Sequence, residues 1–264
     1  PKISFKVLSF RHKKQEIMKK MTFFFLPLFF IQGGVDRGNV PTIDKDKDNG
    51  FAVLELFTSE GCSSCPPADE TVAHISHLYE TNVYVLSFHV DYWNRLGWKD
   101  SFSDADYTRR QQQYGEAFHL RSVYTPQVIL NGRAELVGSD ENKMRDAIGK
   151  ELANTPGENF ELTVKNIEGN TITVSYKRKS NDELNLYMAL VQTQAVTDVK
   201  KGENAGKQLQ HCNVVRDFKT FYKSSGTGHL KIPEGLAAKD CRIIAFLQEV
   251  NNGRITGAKE LIIP

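Results

Sequence analysis

Two cysteines separated by two residues, Cys62 and Cys65, follow a short apolar segment and a polar loop. The apolar segment, residues 51–57, has the composition of a buried strand. Pro66 and Pro67 come directly after the second cysteine. Proline is tolerated at the first helical positions because the N–H groups there have no partner within the helix. The pattern therefore predicts a strand, a loop and a helix whose first turn carries both thiols.

The start of a helix favours an ionised cysteine. Unpaired backbone N–H groups and the positive end of the helix dipole stabilise a thiolate relative to a thiol. A thiolate beside a second thiol can attack a disulfide and then release the product by forming its own ring disulfide. We therefore predict that Cys62 is the more exposed, attacking thiol and that Cys65 resolves the mixed disulfide.

A Cys-x-x-Cys pair can also be half of a zinc site or a static disulfide. Zinc would need two further ligands, and Cys212 and Cys241 are far along the chain without a suitable spacing. We therefore expect no metal and no other cofactor at the pair, while a static disulfide stays open. Cys212 and Cys241 either form a bridge or remain two separate thiols, and the sequence does not choose between them.

A proline at the start of a second β-branched segment supports redox chemistry. Thr125 and Pro126 precede Gln-Val-Ile-Leu, and Asn131-Gly132 then predicts a tight hairpin turn. Proline lacks an N–H and fits a strand only with special geometry, and X–Pro bonds are the only common cis bonds. The order of elements predicts a thioredoxin-like α/β domain over residues 51–155. In proteins of that kind a cis-proline faces the dithiol, so Thr125 and Pro126 are predicted to bind substrate.

Seven short segments carry a resemblance to a known family. In chain order they are FTSEGCSSCPPAD (57–69), HVDYW (89–93), LGWKD (96–100), RQ (110–111), VYTPQ (123–127), GENAG (202–206) and HCNVVR (211–216). Together they resemble a secreted bacterial thioredoxin-like family that is catalogued only as a domain of unknown function. The resemblance covers about residues 50–264. It implies the fold and a redox chemistry, and it implies no substrate.

Glu55 and Trp93 are further candidates for the site. Aligning the first strand with that of thioredoxin puts Glu55 beneath the dithiol. A partly desolvated carboxyl there would have a raised pKa and could carry the proton of Cys65. The alternative for Glu55 is an ion pair with an arginine. Trp93 lies in the loop after the second strand and is predicted to receive an apolar part of the substrate, with simple packing as the alternative.

His89 and Asp91, at the end of the second predicted strand, fit either a metal pair or a structural turn. Copper-handling thioredoxin-like proteins combine two cysteines with a distant histidine. Those proteins usually separate their cysteines by three residues, whereas two residues separate Cys62 from Cys65.

The chain changes character near residue 158. Apolar residues then alternate with polar ones, as in Phe160, Leu162 and Val164, which is the period of a half-buried strand. About seven such segments predict an all-β sandwich-like domain over residues 158–264. No catalytic constellation is evident in this half, so docking or a lid are its expected roles.

The first 34 residues have the composition of a secretory signal peptide. Lysines precede the apolar run 21–31, which small residues follow and which is shorter than the roughly 20 residues of a membrane span. Met18 is a candidate true start, with residues 1–17 an over-extended reading frame. Cleavage near Gly33 or Gly34 would leave a polar, flexible lead-in over residues 35–50 and no stable membrane span.

Taken together, these patterns predict a thiol–disulfide oxidoreductase that is periplasmic or secreted. Disulfides persist outside the cytoplasm, so the pair could cycle there. The expected partners are protein or peptide thiols and disulfides, with a redox partner protein as a further possibility. Residues 1–34 hold seven of the 34 Lys and Arg and one of the 32 Asp and Glu, so the rest has a net charge of −4 and gives no reason to expect nucleic acid. A non-catalytic binding module with a structural disulfide and a copper-handling protein are the alternatives.

Overall fold

β-Strands make up most of the chain that the structure describes. The structure is a computed structural model, and it describes residues 50–264 except residues 155, 180 and 182. The strands are β1 (Ala52–Thr58), β2 (Val83–His89), β3 (Gln127–Leu130), β4 (Ala134–Val137), β5 (Phe160–Glu168), β6 (Thr171–Arg178), β7 (Leu184–Asp198), β8 (Gln208–Phe221), β9 (Ser225–Lys231), β10 (Cys241–Glu249) and β11 (Ile255–Ile262). The helices are α1 (Pro66–Leu78), α2 (Ala105–Ala117) and α3 (Glu141–Leu152).

Eight of the strands form one mixed sheet. Their order is β11-β10-β7-β8-β2-β1-β3-β4, and β5, β6 and β9 form a second, three-stranded sheet. β1 runs parallel to β2 and antiparallel to β3, which forms a hairpin with β4. β8 joins the sheet beside β2 through the parallel pair Ser87 and Val214, and it pairs along its length with β7.

The prediction of a thioredoxin-like α/β domain followed by an all-β sandwich is wrong. The described chain is mostly β, with three helices, and its larger sheet takes strands from both sides of the boundary predicted near residue 158. The reason is the edge of β2. A strand edge presents unpaired backbone groups, and β8 covers that edge, so the C-terminal strands extend the first sheet.

The local features predicted around the two candidate loops are confirmed. Cys65 is the N-cap of α1, and prolines occupy the first two positions of that helix. The peptide bond between Thr125 and Pro126 is cis. Asn131 and Gly132 both have positive φ, 47° and 63°, in the turn that joins β3 to β4, as a two-residue hairpin turn requires.

Alternation along β1 sets which side chains meet which helices. Leu54 and Leu56 lie in the apolar cluster that includes residues of α1 and α3. Val53 and Phe57 lie in the cluster that includes Tyr107 and Tyr114 of α2. Because successive strand residues point to opposite faces, Glu55 shares the face of Val53 and Phe57. A third cluster lies between the small sheet and β7 and β10.

The predicted leader (1–34) and nearly all of the predicted lead-in (35–50) lie outside the described residues. Within the residues described, no helix is long and apolar enough to cross a membrane.

Candidate functional site

The two cysteines lie at the start of α1, as free thiols. The N–H of Cys65 donates to the carbonyl of Cys62 over 3.2 Å, which closes the turn that enters the helix. Both side chains have 0% exposure. The prediction that Cys62 is an exposed thiol is therefore wrong: Ser64 and Thr125 lie next to its sulfur, and a loop from the C-terminal half of the chain contacts the backbone of this turn.

The two thiols have opposite acidities. A hydrogen bond from the thiol of Cys65, helped by Ser64 and Thr125, lowers the pKa of Cys62 to about 6 against the effect of burial. Burial raises the pKa of Cys65 far above its usual range, and the hydrogen bond to Cys62 and the Cys62 charge add to that rise. At neutral pH the pair is therefore a thiolate at Cys62 held by a protonated thiol at Cys65.

The predicted substrate turn lies beside Cys62. The carbonyl oxygen of Thr125 is 3.8 Å from the Cys62 sulfur, and it accepts a hydrogen bond from the Ser64 hydroxyl over 3.5 Å. The indole N–H of Trp93 donates to the Thr125 hydroxyl over 2.8 Å. The structure thus brings Trp93 and the Thr125-Pro126 turn to the dithiol, although the sequence separates them by about 30 to 60 residues.

Glu55 lies in a different environment. Its carboxylate is fully buried and is paired with the Arg110 guanidinium of α2, and it accepts a hydrogen bond from the Tyr114 hydroxyl over 2.6 Å. Gln248 also accepts from Arg110. Glu55 therefore forms an ion pair with an arginine, which was the alternative to its role as a proton carrier. Among the described hydrogen bonds, none joins Glu55 to either thiol. The predicted transfer of the Cys65 proton by Glu55 stays a prediction.

The loop between β7 and β8, residues 199–207, covers the dithiol turn, and we refer to it as the cover loop. The buried side-chain amide of Asn204 donates to the carbonyls of Glu60 and Cys62, each over 2.9 Å. The Glu203 carboxylate accepts from the backbone N–H of Ser63 over 3.0 Å. In the sequence, this segment stands out only through the family resemblance.

A cluster of five buried polar residues lies behind the dithiol turn, and sequence reasoning did not assemble it. Its members are Glu60, Asp69, His89, Asp100 and His211. The Nδ1 of His89 is 2.7 Å from the Asp100 carboxylate, which also accepts from the N–H of Glu60. His211 lies between two carboxylates, 3.6 Å from Asp69 and 3.7 Å from Glu60. The rings of His89 and His211 meet edge to face at 4.9 Å.

The electrostatics of His89 follow from its carboxylate partner. Burial alone favours the neutral imidazole, but the charge and hydrogen bond of Asp100 raise the pKa of His89 overall. His89 in turn lowers the pKa of Asp100 against the effect of burial. Asp91, the other half of the predicted metal pair, instead accepts a hydrogen bond from the Thr108 hydroxyl. Over the described residues, no group of three or more His, Cys, Asp or Glu is arranged to hold a metal ion.

Cys212 and Cys241 are free thiols in separate surroundings. Cys212 packs against the cluster of α1 and α3, whereas Cys241 belongs to the cluster beneath the small sheet. Burial raises the pKa of Cys212 to about 12 and that of Cys241 to about 11. Of the two alternatives left open for this pair, the structure has the two separate thiols.

Comparison with known proteins yields a family model and a solved structure. The family model described as "Protein of unknown function (DUF1223)" matches residues 53–248. The crystal structure of a protein from Agrobacterium tumefaciens, a structural genomics target, is 30% identical in sequence. That match covers 82% of this chain and 96% of the other, with a TM-score of 0.60.

A weaker likeness involves a domain of the outer membrane lipoprotein Omp28 from Porphyromonas gingivalis. It is 14% identical, covers 40% of this chain and 86% of that domain, and has a TM-score of 0.23, which is too low to carry an argument. No curated protein matches the chain.

Proposed function

This chain belongs to the DUF1223 family, and we propose that it is an exported thiol–disulfide oxidoreductase that acts on cysteines of proteins or peptides. The observation that carries the proposal is the asymmetric thiol pair at the start of α1. Cys62 has a pKa of about 6 because Cys65 donates a hydrogen bond to it, while Cys65 itself stays protonated. Disulfide exchange requires an attacking thiolate and a neighbouring thiol that resolves the mixed disulfide.

The proposed reaction balances within the dithiol and one substrate disulfide. The Cys62 thiolate attacks one sulfur of the substrate, forms a mixed disulfide and expels the first substrate thiolate, which takes a proton. Cys65 then loses its proton and attacks the Cys62 sulfur. The Cys62–Cys65 disulfide forms, the second substrate thiolate leaves and is protonated, and the substrate has gained two electrons. The reverse sequence oxidises a substrate dithiol.

The substrate surface in this proposal is the turn at Thr125 and Pro126 with Trp93. The Thr125 carbonyl lies next to the attacking sulfur, and the Trp93 indole holds the Thr125 side chain. A backbone group beside the reacting sulfur can align an extended peptide by main-chain hydrogen bonds, as in strand addition. An indole supplies a large apolar surface next to it.

In this proposal the cover loop moves to give the substrate access to Cys62. The sulfur has no exposed surface, and Asn204 ties the loop to the carbonyls on either side of Gly61. Local opening of a folded protein can break the few polar contacts that hold a surface loop. The loop is therefore proposed to act as a gate, which opens to let the substrate reach the thiolate.

The full burial of Cys62 also favours a second candidate, a non-catalytic binding module in which the pair is never attacked. The reduction potential of the Cys62–Cys65 pair distinguishes the oxidoreductase from the binding module. We expect a value between about −270 and −120 mV, the range of catalytic dithiols, with exchange in a defined thiol–disulfide buffer. A value below about −300 mV together with inert kinetics would instead indicate a structural disulfide.

Export is part of the same proposal. The basic residues followed by the apolar run 21–31 support a secretory leader. A periplasmic or secreted location would supply the disulfides that the dithiol is proposed to exchange.

A further inference from the structure

We infer that Asp69 and His211 form a buried proton relay that carries the proton of Cys65 to a pocket lined by α1, β7 and β8. The inference rests on the proposed function, since it names the groups that allow Cys65 to act as the resolving thiol. Neither residue was a candidate from the sequence. Both are polar and nearly fully buried.

The first step of the relay runs along one turn of α1. Asp69 follows Cys65 by four residues, and its N–H donates to the Cys65 carbonyl over 3.1 Å. Residues four apart on a helix lie on the same face, one above the other. Asp69 is 4% exposed, and its charge acts on Cys65, adding to the rise in the pKa of that thiol. A carboxylate placed one helical turn from the thiol can act as the base that takes its proton.

The second step runs from Asp69 to His211. The Nδ1 of His211 is 3.6 Å from Asp69 and its Nε2 is 3.7 Å from Glu60, both too long for a direct hydrogen bond. Both ring nitrogens are fully buried without a partner, as are Oδ1 of Asp69 and Oε1 of Glu60. The Asp69 oxygen nearest His211 is Oδ2, which also accepts a hydrogen bond from the Thr58 hydroxyl over 3.4 Å. Leaving buried polar atoms unpaired is unfavourable, so a small movement that brings the imidazole into hydrogen-bond distance of a carboxylate is favoured. The imidazole can accept a proton at one nitrogen and give one up at the other.

The last step leads to solvent. Asp69 and His211 line a pocket of about 410 Å³ between α1 and strands β7 and β8. Its lining also includes the exposed residues Glu70, His77 and Gln210. The relay therefore ends at this pocket, and because both ring nitrogens of His211 are buried, the imidazole must move to give the proton to water there.

Charged and aromatic groups face His211 from several elements. Glu60 approaches from the loop before α1, Asp69 from α1 and His89, with its partner Asp100, from β2 and the following loop. On its other side Phe102 meets the ring edge to face, and Arg216 of the same strand lies over Phe102. Arg242 and Cys212 line the pocket beside it. Glu60 and Asp69 are the carboxylates nearest the imidazole.

In the resolving step the proton leaves Cys65 for the Asp69 carboxylate, and the Cys65 electron pair forms the bond to the Cys62 sulfur. The bond between Cys62 and the substrate sulfur breaks, and the substrate thiolate leaves with that electron pair. Asp69 passes the proton through His211 to the pocket. The oxidant is the substrate disulfide, and no other reactant is needed.

The experiment is a single turnover of the full chain with a stoichiometric amount of 5,5′-dithiobis(2-nitrobenzoate). The first release of thionitrobenzoate reports attack by Cys62, and the second reports ring closure by Cys65. Cys65→Ser, which lacks the second step, identifies the two phases. We expect Asp69→Asn and His211→Gln each to slow the second phase about 100-fold at pH 7 while leaving the first within about twofold. His74→Gln, an exposed histidine on the same helix, should alter neither phase.

The pH profile distinguishes a relay from a merely structural role. With the relay, the wild-type second phase should level off between pH 6 and 9. In either variant it should rise about tenfold per pH unit, because hydroxide then removes the proton. A wild-type second phase that itself rises tenfold per pH unit would overturn the relay, whether or not the variants fold. So would folded variants, checked by circular dichroism, with a second phase within about twofold of wild type. A wild-type trace with no second phase would overturn the oxidoreductase proposal as well.

Discussion

The side-chain nitrogen of Asn204 lies 2.9 Å from the carbonyl oxygen of Cys62, a residue 142 positions earlier in the chain. The same amide also binds the carbonyl of Glu60. One buried side chain thereby fixes the cover loop to the turn that holds the thiolate. If the loop limits access to the thiolate, as we propose, this side chain is the one that holds it closed.

Removing this amide should expose Cys62. Asn204→Ala deletes two buried hydrogen bonds, and an opening free energy lower by about 1.4 kcal/mol would raise the alkylation rate of Cys62 by iodoacetamide about tenfold. Mass spectrometry of the modified peptide provides the rate. Lys201→Ala, an exposed position of the same loop, is the control and should react like wild type. Equal rates in the Asn204 variant and wild type would mean that the loop does not limit access.

Alkylation of Cys62 should follow an acidic titration. The reactive form is the thiolate, and the pKa of Cys62 is about 6, so the rate should rise from pH 4, reach half its maximum near pH 6 and stay level above pH 7. Cys65→Ala removes the donor that contributes most to this low pKa and should shift the midpoint upward. Cys65→Ser keeps a hydroxyl donor and should shift it less. A wild-type midpoint above pH 8 would contradict the asymmetric pair.

A variant without the resolving thiol should accumulate substrates. Cys65→Ser can form a mixed disulfide at Cys62 and cannot release it, so non-reducing gels of a periplasmic extract should show adducts that disappear with reductant. The double variant with Cys62→Ser should form none. An empty gel for Cys65→Ser would count against protein or peptide clients.

The pair of Glu55 and Arg110 should matter for stability. Arg110 lies within 6 Å of the centroids of five aromatic rings, and Arg110→Met would leave Glu55 buried without its counter-charge. We expect the free energy of unfolding, measured with urea, to fall by about 3–5 kcal/mol. Arg109→Met removes only a surface pair and should cost about 1 kcal/mol or less.

The same pair bears on the predicted role of Glu55 as a proton carrier. Glu55→Gln should destabilise the fold and leave the second phase of the single-turnover trace unchanged at pH 7. A folded Glu55→Gln protein with a selectively slowed second phase would restore that role and compete with the relay through His211.

Processing of the N-terminus tests export. If residues 18–31 act as a secretory leader, the protein recovered from the periplasm should begin near Val35. Intact-mass measurement gives the first residue directly. A mature protein that still contains Met18 or Met21 would indicate a retained anchor instead.

Local sequence determined much of what surrounds the dithiol. The two prolines after Cys65 predict a helix start, because only the first helical positions tolerate a missing N–H. Asn131-Gly132 predicts a hairpin, because both residues readily take positive φ. Alternation from residue 160 onward predicts strands. Each of these features depends on residues within a few positions of one another, and each is found in the structure.

Only the tertiary structure decided which strands are neighbours and what closes the site. A period of two specifies which side chains share a face of a strand, but it carries no information about which strand pairs with it. The pairing of β8 with β2 brings His211 behind Cys65, and the preceding loop brings Asn204 over Cys62. The packing of α2 against the Glu55 face of β1 brings Arg110 to that carboxylate. These contacts join residues 55 to about 150 positions apart, so they depend on how the sheet assembles and not on any local pattern.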